Sequence, residues 1–173
     1  MTRQDVEAPA GDTGADEPTG VAAGGVVLRL GGSRYVLAMA DVAEVVQVPK
    51  VTRIPGAPSW LRGVANWRGR MLPVIDVRPL LGAPSGPLAS SARLVVVQGG
   101  ADGATTAGLV AETVQGVFDV VADDLAPAPP TLAADAARLV AGQVSDHRGP
   151  LAVLDAGALL GLRNQVDRRR HGS

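Results

Sequence analysis

Leu61-Arg62-Gly63-Val64-Ala65-Asn66-Trp67-Arg68-Gly69-Arg70-Met71-Leu72-Pro73-Val74-Ile75-Asp76 is the stretch on which the reading of the fold turns. It joins an apolar strand, through a tight cationic turn, to a second apolar strand closed by an aspartate. No packing requirement asks for the three arginines. Gly63 and Gly69 lack a Cβ, so each tolerates positive φ or the close approach of another backbone. They predict a loop of defined shape holding Arg62, Arg68 and Arg70 outward, as a recognition surface would.

The same unit occurs twice. Residues 61–82 align without a gap on residues 140–161, at a shift of 79 (142 minus 63). Gly63, Leu72, Val74, Asp76, Leu80, Leu81 and Gly82 return as Gly142, Leu151, Val153, Asp155, Leu159, Leu160 and Gly161, which is 7 identities in 22 positions. The repeated element is a glycine-led strand, a turn, an apolar strand closed by aspartate, and a helical turn ended by glycine. Asp76 and Asp155 are placed to accept hydrogen bonds from the free N–H groups that open each helix, and Gly82 and Gly161 to end it in the left-handed conformation. A repeated strand pair predicts two related small barrels packed side by side.

Outward from this unit, residues 26–30, 35–39, 42–48, 94–98, 107–111 and 114–121 add short valine-rich or alternating runs, and residues 71–77, 141–145 and 151–154 fall within the repeats. All read as strands, so the fold class is mainly β. Helical stretches are few and short: residues 58–61, 77–81, 133–139 and 156–160. Pro73 cannot donate to a ladder and is expected at an edge or a bulge.

Composition narrows function. The chain of 173 residues, 46% hydrophobic and 19% charged, suffices for one domain with a substantial core. Without cysteine there is no disulfide framework, thiol catalysis or thiolate metal site, and two histidines make a histidine-rich metal centre a poor fit. A net charge of −1 and 2% aromatic residues argue against nucleic acid as a partner. The apolar runs are too short to span a bilayer, and the first residues do not read as a signal peptide. Residues 1–22, with Asp5, Glu7, Asp12, Asp16 and Glu17 against Arg3, are expected to form a disordered acidic tail. Residues 23–163 then form the domain, and residues 164–173 a solvated basic tail.

The two copies differ at the turn. Asn66-Trp67-Arg68-Gly69-Arg70 in the first becomes Ser145-Asp146-His147-Arg148-Gly149 in the second, with loop length kept and chemistry rearranged. Arg68 has two readings: an exposed arginine bridging to a nearby carboxylate of its own chain, worth little to stability, or a rigid fork of donors for a partner's carboxylate or carbonyl. Alternation with Arg68 turns Trp67 inward. Ser145-Asp146-His147 is the one cluster that tempts an enzymatic reading, a small hydrolase using Ser145 and His147, but consecutive residues rarely converge on one reacting atom.

Thr52-Arg53-Ile54-Pro55, Leu61-Arg62-Gly63-Val64, Asn66-Trp67-Arg68-Gly69 and Leu72-Pro73-Val74-Ile75-Asp76 occur in an order and spacing that resemble the CheW family of chemotaxis adaptors. Val95-Val96-Val97, Gly108-Leu109-Val110-Ala111-Glu112-Thr113-Val114 and Leu125-Ala126-Pro127-Ala128-Pro129 extend the likeness over residues 26–162. The resemblance implies two five-stranded SH3-like β-barrel subdomains, interleaved, with a hydrophobic seam between them. It implies a scaffold with no catalytic activity, no cofactor and no metal, coupling the cytoplasmic tips of chemoreceptors to a CheA-type histidine kinase. The location implied is cytoplasmic, at receptor arrays on the inner face of the membrane. Flagellar chemotaxis and a gliding, twitching or developmental pathway are both compatible. The family's contact positions fall on Val42, Glu44, Arg62, Gly63 and Arg68. Trp67 departs from the smaller aliphatic residue common at its position.

Overall fold

The structure is a computed structural model that describes residues 22–121 and 124–170. The expected acidic tail, apart from Ala22, and the final three residues lie outside the described part. Ten strands are described: β1 (Ala22–Leu30), β2 (Ser33–Ala38), β3 (Val42–Gln47), β4 (Leu61–Trp67), β5 (Arg70–Ile75), β6 (Arg93–Gly99), β7 (Thr105–Ala111), β8 (Thr113–Val121), β9 (Val140–Asp146) and β10 (Gly149–Leu154). The described residues also include two helices, α1 (Ala134–Leu139) and α2 (Ala156–Arg170), and short 3-10 turns at Met39–Asp41 and Ala101–Gly103.

The strands form two five-stranded sheets, ordered β8-β1-β2-β10-β9 and β3-β6-β7-β5-β4. Each sheet contains one parallel pairing, β10 with β2 in the first and β5 with β7 in the second. The second subdomain is one continuous stretch, β3 to β7, inserted between β2 and β8 of the first, which is therefore the discontinuous one.

The internal repeat is reproduced bond for bond. Leu72 faces Ala65 as Leu151 faces Val144, and Val74 faces Gly63 as Val153 faces Gly142. Both hairpins carry a register shift just beyond the glycine. Thr52 bridges Val64 and Ala126 bridges Gln143, laying a short covering segment along each outer strand. The Asp76 N–H donates to Trp60 O at 2.7 Å, and the Asp155 N–H to Leu139 O at 2.8 Å. These positions too are 79 residues apart.

Three buried clusters explain the unbroken apolar runs. Leu94 and Val96 point into the second barrel with Ala65, Leu72, Val74 and Val110. Their neighbours Val95 and Val97 point the other way, into a larger seam with Leu28, Leu30, Leu37, Ile75, Leu109 and Leu159. The first barrel has a smaller interior of Val27, Val36, Val144 and Leu151. A strand buried on both faces reads as a continuous run, not an alternation, and each fully buried Leu or Ile contributes about 1.5–3 kcal/mol relative to exposure.

Several local expectations are corrected. Residues 58–61 do not form a helix: they make a turn closed by the Leu61 N–H to Pro58 O bond, and β4 begins at Leu61. After Asp76 there is a single helical turn, closed by the Leu81 N–H to Val77 O bond and ended by Gly82 at φ 79. Asp155 caps α2 as expected, accepting the Ala158 N–H at 3.1 Å. Gly161, however, does not stop that helix, which continues to Arg170 and takes up residues 164–170 of the expected tail. Leu162 and Val166 pack on the seam, and their burial outweighs the roughly 1 kcal/mol penalty of an interior glycine. Pro73 lies in β5, between β4 and β7, and not at a sheet edge; the ladder to β7 begins only at Val74.

Candidate functional site

The β4–β5 hairpin turns through two residues, Arg68 at φ 51 and Gly69 at φ 76. Positive φ at both positions marks a type I′ turn, whose twist matches the strands and whose first position favours Asn over a bulky side chain. The Asn66 carboxamide oxygen accepts the Gly69 N–H at 2.9 Å and braces the turn. In the second copy, Asp146 Oδ1 accepts the Arg148 N–H at 2.8 Å, and only Gly149 has positive φ. An arginine held left-handed costs of order 1–2 kcal/mol, and strain of this kind is retained where a side chain is needed in a particular place.

Glu44 supplies the other half of the site. Trp67 Nε1–H donates to Glu44 Oε2 at 3.0 Å, and Arg68 Nη2 meets the same oxygen at 2.9 Å. The Arg68 guanidinium lies 5.2 Å from the Trp67 ring centroid, within cation–π range. β3 and β4 are opposite edges of one sheet, so these contacts also show the sheet curling into a barrel with the cluster at its mouth. Trp67 packs half-buried on the barrel interior, in agreement with its expected inward turn. The Arg68 side chain remains 69% exposed: it is bound to a carboxylate of its own chain on one side and open on the other. The exposed arginine bridging to a carboxylate of its own chain is the reading this geometry shows, with the outer side of the guanidinium left open.

The remaining expected contact residues fall elsewhere. Val42, at the start of β3, is half-buried against the seam. Arg62 does not point outward: its Nη1 donates to Asp76 Oδ2 at 2.8 Å, and both terminal nitrogens reach Gly86 O at 3.4 Å. Gly63 is buried, and a Cβ there would lie 2.0 Å from Thr52 O. Its missing side chain admits the covering segment, as Gly142 admits Ala126. Arg70 stays exposed beside the turn.

Asp76 anchors an ionic network that the sequence did not foretell. Its side chain is fully inaccessible, and Arg78, 5% exposed, donates Nε to Oδ1 at 2.9 Å and Nη2 to Oδ2 at 2.8 Å. Burial pushes the Asp76 carboxyl up, but the hydrogen bonds from Arg78 and Arg62 outweigh it and leave the pKa below the ordinary value. Arg78 also reaches Glu112 at 3.3 Å, and Glu112 accepts the Gly31 and Gly32 N–H groups of the β1–β2 turn. The network thus ties one barrel to the other. Asp146 is likewise committed: Arg34 binds it in a fork, holding its carboxyl below the usual carboxylate range, and its remaining acceptance goes to the Arg148 N–H. The carboxylate that an enzymatic reading would place behind His147 is thereby occupied.

Two five-stranded SH3-like barrels, one of which presents a strained, partly satisfied arginine at its mouth, make up the domain. Comparison with known proteins gives the family. Residues 24–164 match the CheW-like domain, and the chain belongs to the CheW-like scaffold family. It is 32% identical over 140 residues to Protein FrzA of Myxococcus xanthus, covering 79% of this chain and 84% of that protein. It is 42% identical over 74 residues to Protein PilI of Pseudomonas aeruginosa, a match spanning 43% of this chain and 42% of PilI. The scaffolding protein TtCheW from Thermoanaerobacter tengcongensis superposes with a TM-score of 0.68 at 27% identity, over 78% of this chain and 89% of that one.

Replacing Arg68 with Asn relieves the left-handed strain and removes one exposed ion pair, worth about 0–1 kcal/mol. The two effects oppose each other. The Arg68→Asn protein is expected to keep its unfolding free energy to within about 1 kcal/mol of the original, as urea titration would show.

Proposed function

We propose that this chain is a non-catalytic adaptor that couples the cytoplasmic tips of chemoreceptors to a CheA-type histidine kinase, in chemotaxis or a chemotaxis-like pathway. The observation that carries this is the Glu44–Trp67–Arg68 cluster. Its arginine is held in a conformation that stability alone disfavours, and it keeps most of its surface open. A receptor helix tip would bring a carboxylate or carbonyl to Arg68 and apolar area to the neighbouring edge of β3, where Val45 is exposed. Val42 and Glu44 position that edge. Arg62 and Gly63 support it from within the fold.

The first barrel has its own exposed apolar pair, Met39 at 41% and Val117 at 64%, which flank Gly24 on β1. In this reading that face meets the barrel-like regulatory domain of the kinase, so that one chain holds two partners in a fixed geometry. Such a protein acts in the cytoplasm, recruited to receptor arrays at the inner face of the membrane. No helix among the described residues is long and apolar enough to cross one.

The test uses the Arg68→Asn protein, in which the turn is preserved and the charge is gone. Its affinity for a receptor-tip fragment is expected to fall at least 10-fold, with kinase binding unchanged. Equal receptor affinity for the two proteins would remove the turn from the interface.

A further inference from the structure

At the end of β4 opposite the Arg68 turn, about 20 Å away along the strand, lies a trough with two different ends. Its closed end is an apolar pocket of about 180 Å³, walled by Ile54, Trp60, Leu61 and, from α2, Val166. Its rim is built from two successive turns. One is closed by the Ala57 N–H to Ile54 O bond at 3.2 Å, with Pro55 and Gly56 (φ 71) in the central positions of a type II turn; the other is closed by the Leu61 N–H to Pro58 O bond at 3.0 Å. Two prolines and two closed turns make this a preformed wall.

The open end, a hollow of about 590 Å³, shares that wall and adds Arg53, Arg62, Ser59 and Ser85. No carboxylate lines either part. Asp167, the acidic neighbour of Val166, lies 4.0 Å from Arg163. Arg53 is exposed and forms no ion pair among the described residues. Arg62 is fixed by Asp76 and Gly86 on one side while its side chain still reaches the hollow. The trough thus combines a hole sized for one large apolar side chain with two arginines, one of them already immobilised.

We propose that this trough is a second docking site, which takes an acidic segment of a partner protein. One leucine-sized or aromatic side chain enters the pocket, and a neighbouring carboxylate lies against Arg53 and Arg62. Charge complementarity selects the occupant: the trough's charged lining is wholly cationic, and its apolar end is too small for more than one side chain. The site is separate from the hairpin turn, and β4 carries one at each end, an arrangement suited to an adaptor.

A labelled twelve-residue peptide of alternating Glu and Ser with one central Leu is the probe, titrated into the full chain at low salt. Binding is expected, weakening at least 10-fold when Lys replaces Glu in the peptide, when Gly replaces its Leu, and in the Arg53→Glu and Ala57→Leu proteins. Arg68→Ala should leave it unchanged, which keeps this result distinct from the fate of the turn. The chain has two tryptophans, so in a Trp67→Phe background the emission of Trp60 should shift on binding. Failure of the peptide to bind at millimolar concentration would overturn the proposal, as would equal binding of the Lys peptide or indifference to Arg53→Glu and Ala57→Leu. Displacement of the probe by a peptide of residues 1–21 would reassign the trough to this chain's own acidic segment and likewise overturn the partner reading.

Discussion

Replacing Asp76 with Asn is expected to destabilise the fold by about 3–5 kcal/mol, the range for breaking a buried ion pair from one side. Arg78 is 5% exposed and spends two donors on this carboxylate, and Arg62 spends a third. An amide leaves Arg62 without a counter-charge and Arg78 with only the longer contact to Glu112, at 3.3 Å. Because Glu112 joins Arg78 to the β1–β2 turn, the damage reaches the junction between the barrels. Differential scanning calorimetry would register it as a large drop in Tm. The pH dependence follows from the lowered pKa of Asp76. A carboxyl whose folded pKa lies below its unfolded value, about 3.9, adds stability that is fully present above the unfolded value and disappears as pH falls through the folded one. The original protein should therefore lose stability below about pH 4, and the Asp76→Asn protein, already deprived of this contribution, should lose less over the same range.

Gly63→Ala is expected to cost at least about 3 kcal/mol. Its Cβ would sit 2.0 Å from Thr52 O and 2.7 Å from the Thr52 carbonyl carbon, both backbone atoms, at a φ of 144 that side chains rarely adopt. Relief requires breaking the pair of hydrogen bonds, 2.8 and 2.9 Å, that hold Thr52 to Val64. Gly69→Ala is the control: φ is 76, but nothing lies within 4 Å of the added carbon, so the cost is conformational only, about 1–2 kcal/mol. Urea midpoints for the pair should differ accordingly. Any loss of partner binding in a Gly63 variant would then report a displaced covering segment and not a lost contact.

Much of the architecture was legible because the chain carries its fold twice. The spacing of Gly63, Leu72, Val74 and Asp76 against Gly142, Leu151, Val153 and Asp155 specifies two equivalent hairpins, and the register confirms each pairing. Where the copies agree, the residues serve the scaffold; where they differ, at Trp67-Arg68 against Asp146-His147, the first copy carries the candidate site. The end of α2 was not legible: Gly161 signals a stop, and only the packing of Leu162 and Val166 on the seam overrides it. Arg62 and Arg68 look alike in sequence, both basic and both near a glycine. Their fates diverge because the carboxylates that claim them lie 14 and 24 residues away, on a turn and on a facing strand. Hairpin register brings Asp76 to Arg62, whereas barrel closure brings Glu44 to Arg68, and local pattern carries no trace of the latter. Trp67 and Glu44 meet for the same reason.

The most direct measurement is the autophosphorylation rate of a CheA-type kinase with a receptor fragment, in the presence and absence of this chain. The chain is expected to assemble the three components into one complex and to change the rate at least several-fold in a receptor-dependent manner. The Arg68→Asn protein should bind the kinase yet fail to transmit the receptor's effect. A kinase rate unaltered by the chain, with both partners bound or neither, would contradict the adaptor account.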